Sequence, residues 1–435
     1  MWAGFLLDSG RATFRKIVRP AAEGRSLAGS TLWLTAARVT PMATGFLFWF
    51  LAALTLAPKD LGLGSAVVAA ALLTVQAGML GVGPATLTLL PSQDDAGRRR
   101  LMATSLATVG LSSLAVATAL LLITLGLGPG VGQAWDDAAV TAGFLAAALF
   151  ASTAYQLDHI NVAQSRADLA LVRSLLQGLT QLAVLLFCLA SGYRTVMAVI
   201  GAVAAGAVGS VILGMHQLHR AGIGPRWKDG VRLSEATRLL GPALRNYPLM
   251  LADRAPGYLL PLIVAATLSA SATAAWYVVW MMASAVFFVP QSAGYSLQAK
   301  LAAPGSELAL AGRALKISLL LTLVSGGVLL GAGPIFLNVL GPQYAPHWIL
   351  LPLLVPALIL SCTTQIYYGI CRAYARFAES TAVAVLAAVV AVIPGTAVAH
   401  AYGLPGISAL WLFAQLSAAV IAATRLKYLA RGPGG

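Results

Sequence analysis

The sequence predicts an all-α, polytopic membrane protein of about twelve transmembrane helices, arranged as two six-helix bundles around a central cavity. Three observations predict it. Of 435 residues, 59% are hydrophobic and 10% charged, with a mean hydropathy of +0.83, whereas a soluble domain carries about 25% charged residues to face water. Apolar stretches long enough to cross a bilayer recur from residue 29 to residue 424. These stretches do not alternate polar and apolar side chains, which a membrane barrel would require.

The elements follow in order. Residues 1–27 place an apolar run, Trp2 to Leu7, before the basic cluster Arg11, Arg15, Lys16 and Arg19. That is the reverse of a secretory signal, and the segment reads as an amphipathic helix on the cytoplasmic membrane surface. Spans are expected at 29–57, 62–90, 101–127, 138–157, 174–191 and 195–215, forming an N-terminal bundle over 28–215. A charged linker follows at 216–238. Six more spans, at 239–268, 273–298, 317–339, 348–370, 381–399 and 404–424, form a C-terminal bundle over 239–424, and 425–435 is a tail.

Charge orients these spans. The net charge of +14 would suit nucleic acid in a soluble protein, but here the cations lie between apolar runs, and no nucleic-acid partner is expected. Counting Lys and Arg loop by loop gives 23 on the side of both termini and only Lys59 and Arg194 on the other. The positive-inside rule then puts both termini and the linker in the cytoplasm. Arg far outnumbers Lys amid many Ala and Gly residues, which fits a high-GC bacterial genome and a location in the bacterial cytoplasmic membrane. Cys188, Cys362 and Cys371 fall in or beside apolar runs without CxxC spacing, so they read as buried thiols, with no disulfide pair or metal site.

The two halves resemble copies. Residues 53–67 and 265–279 align at an offset of 212, each ending one span and starting the next through a short outer turn. A parallel repeat with a site between its halves is a common transporter plan.

Four ionisable residues fall inside the expected spans: Arg38 in the first, and Arg245, Asp253 and Arg254 in the seventh. A charge in the bilayer centre is costly, so such groups face a watery cavity or a partner. Arg245 lies close enough to the cytoplasmic side to reach the interface along its own stem. Pro41 follows Arg38, and Pro248, Gly257, Pro256 and Pro261 surround the charges of the seventh span, so both helices are expected to bend as gates. Three cations and one acid would leave a net +2 cavity suited to a phosphate-bearing ligand, which Arg binds through paired donors. A cation exporter would need unpaired acids instead. Asp136 and Asp137, in an outer loop, keep open an enzymatic alternative, a metal-dependent glycosyltransferase or ligase; their plainer role is to cap the fourth span. Asp158, His159 and Asn161 read as interfacial. Trp33, Phe46, Phe48, Trp49 and Phe50 are candidates for stacking sugars or, more simply, for lipid contact. No P-loop occurs, and no cofactor is expected.

Residues 29–100, with the Gly29-Ser30 start, the LAPKDLGLGSAV turn at 56–67 and a Gly-rich end of span two before a basic loop, resemble the opening of polysaccharide-biosynthesis flippases. These are the lipid-linked oligosaccharide or O-antigen type within the multidrug/oligosaccharidyl-lipid/polysaccharide exporter superfamily. Residues 277–302 and 337–360 are similar to that family's eighth span and its passage into the tenth. The resemblance implies a flippase that carries a polyprenyl-(pyro)phosphate-linked saccharide from the cytoplasmic to the outer leaflet for cell-surface polysaccharide or cell-wall assembly. It also implies a cationic cavity for the headgroup and a side gate for the polyprenyl tail. The roles of Arg38, Arg245 and Arg254 carry over by location, not by an invariant motif. The expected partners are the lipid-linked anionic saccharide and membrane lipid, with a glycosyltransferase or polymerase of the same pathway as a further candidate, and the chain is expected to be a monomer. A drug/cation antiporter of the same superfamily is the second transport alternative.

Overall fold

A computed structural model describes residues 43–125, 132–164, 166–225, 233–301 and 309–431. The amphipathic segment 1–27, Arg38 and Pro41 lie outside the described residues, as do Trp33 and most of the charged stretch of the linker. Helices α1 (Ala43–Thr55), α2 (Pro58–Gly78), α3 (Val82–Leu89), α4 (Asp95–Leu125), α5 (Ala138–Ala163), α6 (Ala167–Ala190) and α7 (Val196–Arg220) form the first half. The second half comprises α8 (Leu233–Thr267), α9 (Ala270–Leu301), α10 (Ala309–Leu340), α11 (Leu351–Ala373), α12 (Phe377–Val392) and α13 (Gly395–Arg431). Ten helices are long and apolar enough to cross a membrane, and α1 and α12 are shorter apolar helices. The chain is therefore a multi-pass helical membrane protein.

Two of the expected spans are broken. The second bends at 79–81, where Leu80 and Gly81 both take positive φ, and so becomes α2 and α3. A methyl on Gly81 would meet the Ala243 carbonyl of α8, so glycine here serves both the turn and a close approach. The break frees carbonyls, and they are satisfied from outside: Tyr247 donates to the Ala77 carbonyl at 2.6 Å, and Ser112 to that of Gly78 at 2.5 Å. In the eleventh span, α12 stops at Val392 before Pro394, and α13 takes over at Gly395. Within α13, Gly403 (φ 59°, ψ −148°) divides two arms. Val383, Ala384 and Ala387 pack in one cluster with Ala418 and Ala422, and these positions lie at similar distances on either side of Gly403. The chain therefore folds back at Gly403, which separates the eleventh span from the twelfth.

Two span edges differ from the sequence expectation, which starts one span just after Arg173 and ends another just before Arg372, with both among the loop cations. Arg173 instead lies inside α6, 1% exposed, and Arg372 inside α11, 9% exposed. Charge alone marks a loop poorly when a partner or a ring lies within reach. Without these two, the cation asymmetry is still 21 to 2.

The halves share one core at the end that carries the Lys59 turn. There Leu61, Val67 and Phe144 of the first half and Leu260, Trp276 and Leu354 of the second belong to one cluster. At the basic end the cores are separate, one built on Met79, Leu157 and Leu218, the others on Tyr367 and Cys371 and on Ile366 and Ile370. The α8 helix bridges the split, because Leu239 and Ala243 join the first-half cluster. Its 35 residues exceed what a bilayer requires. The extension before Tyr247 therefore projects at the basic end, where Glu235 accepts from Thr104 at 3.3 Å and pairs with Arg100 at 3.5 Å. At the opposite end α2 opens at Pro58 and α9 at Ala270, 212 residues apart as the repeat requires, and a methyl on Gly62 would overlap the Ala270 carbonyl. The equivalent turns of the two halves thus touch each other.

Candidate functional site

A cavity of about 320 Å³ opens where the halves meet. Helix α8 contributes Asp253, Arg254, Gly257 and Tyr258, and α9 contributes Tyr277, Trp280, Phe287 and Gln291. Ala69 and Leu72 of α2, Leu354 and Leu358 of α11, and Trp411 of α13 complete the wall. Asp253 and Arg254 lie on α8 between Leu249 and Leu260, which pack in the apolar clusters on either side of them. The aromatic wall is mutually braced. Trp280 stacks on Trp276 at 5.5 Å and meets Trp411 edge-on at 5.4 Å, while Tyr277 lies 4.3 Å from Trp49 of α1.

The two charges are held differently. Asp253 accepts a hydrogen bond from the Gln365 amide at 2.9 Å. Among the described residues Arg254 makes neither a hydrogen bond nor an ion pair. Its electrostatic neighbours are the phenols of Tyr155, Tyr258 and Tyr295 and the Asp253 carboxylate. Tyr155 comes from α5 in the first half, so these phenols are drawn from both halves. Tyr155 and Tyr295 are 44% and 37% exposed and lie toward the basic ends of their helices.

Arg245 is exposed, precedes the apolar stretch that begins at Tyr247, and is not among the cavity's lining residues. Of the first-span aromatics, Phe46 and Phe50 pack on Phe336, Phe48 is buried and Trp49 backs Tyr277. The rings that line the cavity are instead Tyr258, Tyr277, Trp280, Phe287, Phe288 and Trp411. The i, i+4 spacing of Trp276 and Trp280 is the signal that would have found part of this wall. Gln365 escaped notice because its partner is 112 residues away.

Three of the remaining candidates have partners in the protein. Asp137 caps α5 by accepting from the Ala139 amide at 2.8 Å. Asp158 pairs with Arg173, which also donates to Ser210 at 2.7 Å. His159 Nδ1 meets the Tyr155 carbonyl at 2.9 Å. All three cysteines are free thiols, two of them buried. Among the described residues no group of three His, Cys, Asp or Glu side chains comes together as a metal site.

No family model matches the sequence, and no curated protein matches it. Solved structures do share the fold. A multidrug resistance MATE family transporter of the MOP superfamily, in an inward-facing conformation, aligns with a TM-score of 0.65 at 14% identity, covering 92% of this chain and 100% of that one. The lipid II flippase MurJ, in an inward closed conformation, aligns with a TM-score of 0.68 at 12% identity over 91% of this chain and 87% of its own. A MOP superfamily transporter from Pyrococcus furiosus, described by the reversed polarity of its binding pocket, gives 0.58 at 13% identity over 95% and 100%. At these identities the likeness is one of fold: this chain has the two-bundle, twelve-helix architecture of MATE and MurJ transporters.

Proposed function

We propose that the chain is an alternating-access flippase that carries a polyprenyl-(pyro)phosphate-linked saccharide from the cytoplasmic to the outer leaflet of the bacterial cytoplasmic membrane. The observation that carries this reading is the Arg254 guanidinium, placed in a cavity between the halves with no hydrogen-bond or ion-pair partner among the described residues, while the neighbouring acid is engaged by Gln365. An unpaired guanidinium in a site walled by rings offers its donors to phosphate, and the rings offer faces to a sugar. The same charges weigh against a drug/cation antiporter. Asp253 is the acid among the lining residues, and it accepts from Gln365 and is flanked by Arg254, so the lining carries no net negative charge for a cation.

In this reading Arg254 holds the phosphate, Arg38 is expected to join it from the first span, and Arg245 collects anions at the cytoplasmic surface. A volume of 320 Å³ is at the small end for any ligand pocket, roughly 300–1,000 Å³. A saccharide headgroup therefore needs the halves to part further, at the basic end to load and at the Lys59 end to release. The polyprenyl tail remains in lipid. The assay is flipping of a fluorescent lipid-linked saccharide in proteoliposomes, normalised to folded protein. Arg254→Gln is expected to abolish most transport and Arg254→Lys to recover part of it, because Lys lacks the planar fork. Wild-type flipping by Arg254→Gln would refute the reading.

A further inference from the structure

We infer that Arg372 forms a second anion site, on the basic-end side of the cavity, which takes the phosphate of a membrane-borne phosphate ester before Arg254 does. The inference rests on the flippase reading and adds a residue that the sequence had assigned to a loop. Arg372 lies on the same face of α11 as Gln365 and Tyr368, which stand seven and four residues before it. Gln365 ties this face to Asp253 in the cavity, so the stripe runs from the cavity toward the cytoplasmic end of α11.

Three features mark Arg372 as a waiting ligand group. It is nine-tenths buried, yet its Nη1 has no hydrogen-bond partner among the described residues. A buried charged donor left unpaired is costly, and proteins tolerate it where a ligand or water can pair with it. Its guanidinium lies 5.1 Å over the Tyr295 ring, a contact that supplies no oxygen acceptor. Nearby acids are committed elsewhere, since Glu379 pairs with Arg376 at 2.7 Å and also accepts from Tyr367.

Tyr295 connects the two sites. Arg372 sits on its ring, and Arg254 is an electrostatic neighbour of its phenol. Tyr295 is also 37% exposed, so an anion can approach the pair along the open side of α9. Two guanidiniums that both act on Tyr295, neither with a hydrogen-bonded acid among the described residues, provide successive positions for a phosphate or diphosphate. The outer position meets the ligand first because α11 ends at Ala373, close to the cytoplasmic interface.

The test measures binding to the full chain in nanodiscs of zwitterionic lipid, with radiolabelled farnesyl diphosphate and inorganic pyrophosphate as probes. Arg372→Gln is expected to weaken farnesyl diphosphate binding about tenfold or more, as loss of a charge-assisted contact does. Arg372→Lys keeps the charge and guards against loss of fold, and it should restore part of the affinity. Pyrophosphate competing with the lipid would show that phosphate alone is recognised, and failure to compete would show that the membrane-borne headgroup is required; both outcomes support the site. Wild-type affinity in folded Arg372→Gln, with affinity lost in Arg254→Gln, overturns the second site and leaves the flippase reading standing. No binding by wild-type protein that still flips lipid-linked saccharide overturns the site alone. Absence of both binding and flipping overturns both.

Discussion

Gly62 offers a direct test of whether the halves part at the Lys59 end. A Cβ at this position would overlap the Ala270 carbonyl, which is backbone and cannot swing aside as a flexible side chain would. Overpacking of this kind costs about 1–3 kcal/mol. Replacing glycine by alanine within a helix also returns about 0.5–1 kcal/mol, but in every state in which α2 is helical, so that gain cancels between conformations. The clash exists only while the two turns touch. Gly62→Ala is therefore expected to raise the ratio of outward-open to outward-closed protein about 5–150-fold. Spin labels at Lys59→Cys and Ser271→Cys in a cysteine-free background report the separation of the turns by double electron–electron resonance. The distribution should shift to longer distances, and flipping should slow because re-closure is penalised. Gly327→Ala is the control, because a methyl there meets nothing within 4 Å. If Gly62→Ala leaves the distances unchanged and only stabilises the protein as the control does, the turns are not a closure point.

Asp158→Ala strands Arg173, which is 1% exposed, and breaking a buried pair of this kind costs about 3–5 kcal/mol. The loss should approach the lower figure because Asp158 is 36% exposed. It is read as a lowered Tm in detergent, and an unchanged Tm would show that Ser210 and water suffice. Tyr247→Phe removes the bond to the Ala77 carbonyl, worth about 1 kcal/mol. Amides around 79–81 should then exchange faster with deuterium, and unaltered exchange would mean that the break is held by packing alone. Asp137→Ala removes the α5 cap, for a loss of about 1 kcal/mol. Flipping normalised to folded protein should persist, whereas loss of all activity in folded protein would revive a direct role for Asp137.

The spans were legible because a bilayer imposes length and apolarity on every crossing, and α2, α4 to α11 and α13 are long and apolar enough to meet that rule. The breaks were harder to read. Glycines at 78, 81 and 83 hinted at the end of a span, but the bend at Leu80 and Gly81 holds because Tyr247, on another helix, satisfies a carbonyl it frees. Arg254 was found by the cost of burying charge, which needs no knowledge of neighbours. Arg173 and Arg372 were missed by the same logic, because the first is paid for by Asp158 on α5 and the second rests on Tyr295 of α9. A cation at the edge of an apolar run looks identical in sequence whether it dangles in solvent or is gripped by a distant helix. Tyr155, 99 residues before Arg254, carries no local mark of its role.

The packing of α8 indicates how ligand charge and helix movement become coupled. This helix belongs to both halves: Leu239 and Ala243 pack in the first-half core, while Leu249 and Leu260 pack in clusters with second-half residues. Arg254 lies between those anchors, and Glu235 at the projecting end grips Arg100 and Thr104. A ligand shifts a conformational equilibrium only by the difference in its affinity for the two states. In the proposed flippase an anion on Arg254 is expected to supply such a difference, because the Tyr155 phenol of the first half is among the groups that act on Arg254 of the second. Closure of the basic end around the anion would carry α5 toward α8. With the Gly62 turn packed against Ala270, that motion is expected to part the Lys59 end.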